Sequence, residues 1–250
     1  MTPHATGAAA LSLSIAVSLS SCKEAANTPQ DAALLQPVAS ASASAAPKVE
    51  LPPSSASAHS DAAEVARTLD IQPRQAWGAR KSIEGRMRKN ASIRWVTIHH
   101  TAERNRANSR ASDVLRGIQT LHVETKKWGD VAYHYFIAPT GIIYEGRDPR
   151  FTADTATEYD PAGHITISML GNFESEQATT EAKSSMVNLI ANLLSSHRLT
   201  ANDVRAHRDV AHTLCPGKLL TAYLAKEAQT DIASALKSPS ILRVVSNVAP

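Results

Sequence analysis

Every aromatic residue of this 250-residue chain lies between Trp77 and Tyr223: three Trp, five Tyr and three Phe. Aromatic side chains supply much of the apolar area that a core buries, so the globular part must lie in that stretch and its flanks. Before about residue 67 the chain is mostly Ala, Ser and Pro, including the low-complexity run Ala39-Ser40-Ala41-Ser42-Ala43-Ser44-Ala45-Ala46-Pro47. Such a segment cannot bury enough apolar surface to offset its ordering entropy. The expected organisation is one domain over 68–238, of roughly 170 residues and so large enough for a single core. A disordered linker over 23–67 precedes it, and a C-terminal tail over 239–250 follows. The formal net charge of +3 is too small to point to nucleic acid.

Within the domain, β-branched runs alternate with helical periodicity. Ile93-Arg94-Trp95-Val96-Thr97-Ile98-His99 reads as a buried strand, as does Val131-Ala132-Tyr133-His134-Tyr135-Phe136-Ile137. Pro139-Thr140-Gly141 supplies turn chemistry, and Ile142-Ile143-Tyr144-Glu145 continues as the hairpin partner. Ile165–Leu170 is a further strand. Helical spacing follows Ser112, a candidate N-cap, through Val114, Leu115, Ile118, Leu121 and His122. It recurs after Thr179 or Thr180, through Met186, Val187, Ile190, Leu193 and Leu194, and again from Lys218 through Leu224. Strands alternating with helices predict a central sheet flanked by helices.

Residues 8–21 form a short apolar, Ser-rich run that ends in Leu19-Ser20-Ser21-Cys22. It is too short for a bilayer-spanning helix, which needs about 20 apolar residues, but its length suits the hydrophobic region of a secretion signal. The four closing residues resemble a bacterial lipoprotein lipobox, which implies export with residues 1–22 as the signal, lipidation at Cys22 and attachment to a membrane. The 46 residues from Cys22 to Thr68, as a flexible coil, have an r.m.s. span of roughly 35–40 Å. An anchored domain on such a tether reaches some way from the membrane surface.

Two imidazoles and a thiolate form a good zinc set, and three protein ligands leave a fourth position for water. His99 closes a strand, and its neighbour His100 points to the opposite face because strand side chains alternate. Only one of the pair can enter a common site, and periodicity does not choose between them. His207 and Cys215 sit in Arg205-Ala206-His207-Arg208-Asp209-Val210-Ala211-His212-Thr213-Leu214-Cys215-Pro216-Gly217. Eight residues is not a helix-face spacing, so a loop must fold back to bring both onto one ion, and Pro216-Gly217 suits such a turn.

Five segments in register resemble the peptidoglycan recognition protein and type 2 amidase superfamily. They are Val96-Thr97-Ile98-His99-His100-Thr101-Ala102, Trp128-Gly129-Asp130-Val131-Ala132-Tyr133-His134-Tyr135-Phe136-Ile137, Gly141–Arg147, Leu170-Gly171-Asn172-Phe173, and Ala206-His207-Arg208-Asp209 through Cys215-Pro216-Gly217. Gln75-Ala76-Trp77-Gly78-Ala79-Arg80 resembles the segment that precedes this domain in many recognition proteins, so the likeness covers roughly residues 70–225.

The resemblance implies an α/β fold with a central mixed β-sheet flanked by helices. It also implies zinc-dependent hydrolysis of the amide between N-acetylmuramic acid and L-alanine, by a monomer acting on peptidoglycan or muropeptides from the periplasmic side of a bacterial membrane. It makes His99, His207 and Cys215 the metal ligands and puts Tyr133 beside the ion. Thr213 matches the active recognition proteins, and with Tyr133 it becomes a candidate catalytic residue that donates to the oxyanion. His100, His122 and Arg147 are candidate substrate contacts. For His100 the alternative is relaying a proton to the leaving amine, for His122 a structural place on its helix, and for Arg147 a salt bridge.

Two departures stand out. Some members carry a catalytic glutamate on the Ile165–Leu170 strand, where this chain has Ser168. Many place a histidine and an asparagine before that strand, where this chain has Thr155-Ala156-Thr157-Glu158-Tyr159-Asp160-Pro161. A thiol enzyme using Cys215 and His207, a glycosidase and a non-catalytic peptidoglycan-binding lipoprotein are the rival readings. Against the glycosidase, no carboxylate pair stands out.

Overall fold

The computed structural model describes residues 68–104, 109–238 and 240–245. Cys22, the leader and the linker lie outside the described residues. Among those described, no helix is long and apolar enough to cross a membrane.

Seven strands form one mixed sheet. They are β1 (Thr68–Gln72), β2 (Trp95–His100), β3 (Tyr135–Ile137), β4 (Ile143–Glu145), β5 (His164–Met169), β6 (Val204–Ala206) and β7 (Ile241–Val244). The order is β6-β2-β5-β3-β4-β1-β7. The pairings are parallel except for the β3–β4 hairpin. Four α-helices accompany them: α1 (Ala111–Thr120), α2 (Thr180–His197), α3 (Lys218–Ala225) and α4 (Glu227–Ala235). This is the α/β architecture expected, a mixed sheet with flanking helices.

Strand alternation gives the sheet two different faces. Val96, Ile98, Ile165, Ile167, Met169 and Ile137 share the main core with Met186, Leu189, Ile190 and Leu193 of α2 and with Leu220, Leu224 and Ile232 of α3 and α4. The residues between them, Thr97, His99, Thr166 and Ser168, are just as buried but polar. A smaller cluster of Trp77, Leu115, Val131, Phe136 and Leu170 joins α1 to the rest. Helix α2 begins where the sequence predicts, with the Thr179 hydroxyl accepting the Ala182 N–H at 3.1 Å. Helix α1 does not: it starts at Ala111, with Arg110 rather than Ser112 at its cap. It then loosens into a π-helical turn over Leu121–Thr125, which carries His122.

The expected strand over 131–137 is regular only at Tyr135–Ile137. The residues before it bond irregularly: Ala132 N–H donates to His122 Nδ1 at 3.0 Å and Val131 N–H to Asp130 Oδ1 at 2.8 Å. Gly146 permits this approach, because a Cβ there would lie 2.2 Å from the Tyr133 carbonyl oxygen. Residues 241–244, read from sequence as part of a tail, pair with β1 from Thr68↔Ile241 to Ile71↔Val244.

The polar face holds neutral histidines. His134 Nδ1 accepts the Thr166 N–H at 2.9 Å, so its Nε2–H donates to the Phe151 carbonyl at 2.9 Å. His164 Nδ1 bonds Thr97 Oγ1 at 2.7 Å. Burial pushes the pKa of His134 down to about 4, that of His164 to about 4 and that of His122 to about 3. The folded state therefore refuses protons that the unfolded chain accepts below its ordinary pKa of 6.5. Stability is complete above that value and is lost as pH falls towards 4. For His134, which is fully buried, the slope is about 1.4 kcal/mol per pH unit across that window. The melting temperature of the metal-free protein, followed from pH 7.5 to 4.5, should fall steadily below 6.5. A flat profile would refute the neutral-histidine account.

Candidate metal centre

Strands β2 and β6 are parallel neighbours with Ile98 opposite Ala206. The next residues along each strand, His99 and His207, therefore emerge side by side, their ring centroids 4.4 Å apart. The chain leaves His207 in a short 3₁₀ turn and comes back at Cys215, where Arg208 N–H donates to the Cys215 carbonyl at 2.9 Å. Cys215 N–H donates to Thr213 Oγ1 at 3.2 Å. Gly217, at φ +94°, lets the turn lie against the Phe173 backbone, where a Cβ would sit 2.3 Å from the Phe173 carbonyl carbon. The loop thus folds back as the eight-residue spacing requires.

One ligand atom from each of His99, His207 and Cys215 lies within 4.8 Å of the others, and all three residues are buried. Cys215 Sγ stands 3.7 Å from His99 Nδ1, close to the roughly 3.6 Å between N and S ligands of a tetrahedral zinc. Two imidazole nitrogens, His99 Nε2 and His207 Nδ1, are buried without a hydrogen-bond partner. Orphaned buried polar atoms are costly, and a cation facing Cys215 Sγ and His99 Nδ1 would resolve the cost at His207 Nδ1. Burial, with His207 close by, holds His99 well below the ordinary histidine pKa, and burial pushes His207 to about 4. Both rings are neutral near pH 7, the form that binds metal. The residues fit a zinc ion.

The other candidates fall in different places. The half-buried Tyr133 ring lies 5.1 Å from His99, 6.0 Å from His122 and edge-on to Phe136 at 5.6 Å, centroid to centroid. His122 has its Nδ1 engaged by Ala132 N–H, which places its proton on Nε2. Thr213 fastens the Cys215 backbone through its oxygen and so belongs to the ligand loop.

Two expected substrate contacts are buried and bonded within the protein. Arg147 has a fully buried side chain: Nε donates to Val131 O at 2.8 Å, Nη1 to Thr152 O at 2.6 Å, and Nη2 to Asp130 O at 3.3 Å and to the Asp154 carboxylate. With its donors committed and its surface covered, it staples the loop after β4 to the segment before β3. His100 lies on the opposite face of β2, buried, with Nδ1 accepting Phe173 N–H at 3.3 Å. What residue 100 brings to the cluster is its backbone N–H, donated to Cys215 Sγ at 3.4 Å.

Sequence reasoning passed over the 155–161 loop as a participant. Thr157 Oγ1 lies 2.8 Å from His207 Nε2, the Tyr159 ring packs 5.2 Å from the His207 ring, and Glu158 Oε1 accepts the His212 N–H at 2.8 Å. No spacing rule announces such contacts between two loops. Ser168, in register with His99, has a fully buried Oγ with no partner.

Comparison with known proteins gives one consistent result. A family profile described as N-acetylmuramoyl-L-alanine amidase matches residues 89–218. Peptidoglycan recognition protein 1 of Mus musculus is 36% identical over 154 residues, 60% of this chain and 83% of that one. The crystal structure of Drosophila peptidoglycan recognition protein SD superposes with a TM-score of 0.57 at 26% identity, over 64% of this chain and 94% of the other. Human PGRP-IBETAC, solved in complex with glycosamyl muramyl pentapeptide, does so with 0.56 at 25% identity, over 63% and 95%.

Proposed function

The chain belongs to the N-acetylmuramoyl-L-alanine amidase family, and on that footing we propose that it hydrolyses the amide between N-acetylmuramic acid and L-alanine in peptidoglycan. The observation that carries the reading is the buried His99–His207–Cys215 cluster, with His99 Nδ1 beside the Cys215 sulfur and His207 Nδ1 unpartnered. These three residues would hold zinc, which supplies Lewis acidity towards the scissile carbonyl and an activated water near neutral pH. Cys215 serves as a thiolate ligand rather than a nucleophile. Tyr133 would aim its hydroxyl at the oxygen on which negative charge develops, the position where a fixed donor acts most strongly. Thr213 holds Cys215 in the ligand loop, and its hydroxyl proton remains available to the same oxygen. His122, protonated at Nε2 beside Tyr133, lines the approach for the stem peptide.

The relative solved with a muramyl pentapeptide supports a muropeptide ligand, and the 1–67 segment suits an exported domain tethered through lipid on Cys22 at the periplasmic side of a membrane. Mass spectrometry of sacculi digested by the full chain tests the activity. Stem peptides with a free N-terminal L-alanine should accumulate and should disappear when a chelator is present. Sacculi that are retained by the zinc-loaded protein but never cut would identify the non-catalytic binding module instead.

A further inference from the structure

We propose that Thr157 is a positioning residue for His207, fixing which ring nitrogen faces the metal cluster. The inference rests on the zinc reading above and concerns residues of the 155–161 loop.

His207 has two nitrogens in unlike surroundings. Nε2 lies 2.8 Å from Thr157 Oγ1, whereas Nδ1 is buried and has no partner. A neutral imidazole carries one proton. If Nδ1 offers its lone pair to a cation, the proton sits on Nε2 and Thr157 Oγ1 accepts it. The Thr157 hydroxyl must then send its own proton elsewhere, and Thr155 Oγ1 stands 2.7 Å away to take it. Thr155 Oγ1 also accepts the Thr157 N–H at 3.1 Å. The His207 Nε2 and Thr157 hydroxyl donors thus each find an acceptor, and the His207 Nδ1 lone pair is left without a protein partner. With the proton on Nδ1 instead, a buried N–H would have nothing to donate to, which is a costly state.

The loop that supplies the hydroxyl is itself held. Glu158 Oε1 accepts the His212 N–H at 2.8 Å, and Tyr159 packs against the His207 ring. These contacts join the 155–159 segment to the loop that carries the second and third ligands. Partners of this kind set the tautomer and orientation of a ligating histidine, and losing one costs about 10- to 100-fold in metal affinity.

The test is zinc affinity of the full chain, measured by chelator competition, for the parent, Thr157→Val and Thr157→Ser. Valine keeps the shape and removes the hydroxyl, while serine keeps the hydroxyl. Thr157→Val should remain folded without zinc and bind zinc about 10- to 100-fold more weakly, and Thr157→Ser should stay within about threefold of the parent. The cobalt-substituted protein adds a spectroscopic check: the visible bands of the valine variant should shift and those of the serine variant should not. Parent-like affinity in Thr157→Val overturns the proposal and leaves the zinc reading standing. Equal losses in both variants overturn it as well, because the hydroxyl is then not the cause. A parent that takes up no zinc defeats the functional reading itself.

Discussion

Replacing Cys215 by Ala is expected to weaken zinc binding by more than about 100-fold, beyond the loss caused by a missing supporting partner, and to reduce muropeptide cleavage to background. Cys215 contributes the only sulfur to the cluster, 3.7 Å from His99 Nδ1. The two remaining imidazoles make a poor zinc site, since three protein ligands are the usual minimum for a catalytic ion. The protein should still fold. The thiol is a small part of the buried surface, and the loop around it is held by Arg208 N–H on the Cys215 carbonyl and by the Cys215 N–H on Thr213, both of which involve backbone atoms of residue 215. Metal analysis after dialysis, cleavage measured by mass spectrometry and a circular dichroism spectrum give the three readouts together. Undiminished cleavage by the variant would remove the metal centre from the mechanism. Chelation and alkylation of the parent protein separate the thiol-enzyme rival, which would resist chelators and be killed by alkylation, whereas a thiolate-ligated zinc enzyme would be killed by chelation.

Tyr133→Phe is expected to retain zinc and lose about 100- to 1000-fold in kcat, the range found when one donor to a developing oxyanion is removed. The substitution leaves the ring in place, 5.1 Å from His99 and 5.6 Å edge-on from Phe136. Only the hydroxyl goes, so zinc affinity should match the parent. Because the interaction is made in the transition state, kcat should fall while KM changes little. A fully active Tyr133→Phe variant would reduce Tyr133 to a packing residue and leave the oxyanion to zinc and Thr213.

How much of this was legible in the chain depends on how much each element says about itself. Strands β2 and β5 are continuous β-branched runs buried on both faces, and helix α2 announces its start through Thr179 and its register through Met186, Val187, Ile190 and Leu193. Strands β1 and β7 are short and partly exposed and carry charges, the ion pair Asp70–Arg243 among them, so no periodicity marks them. Helix α4 buries only Ala228 and Ile232, and β6 is three residues long.

The site divides in the same way. The ligand types and the resemblance picked out His99, His207 and Cys215. Alternation puts His100 on the other side of β2, where the structure has it buried against Phe173. Sequence leaves Arg147 open between a substrate contact and a salt bridge, because most of its acceptors are backbone carbonyls, of Val131, Asp130 and Thr152, and carbonyls are invisible in a sequence. Thr157 was out of reach for a related reason: a hydroxyl that meets a ring fifty residues away depends on how two irregular loops cross.

The first and last strands of the domain are hydrogen-bonded neighbours, β7 lying along the outer side of β1. That pairing makes the final residues a guard for the sheet. A chain cut at residue 238 would leave β1 with a bare ladder of donors and acceptors, the template on which foreign strands assemble. The four residues Ile241–Val244, with Arg243 among them facing Asp70, occupy that ladder with a short, charged segment ill suited to recruiting a further strand. The price of trimming this protein for expression is therefore self-association, paid at an edge remote from the metal-ligating cluster.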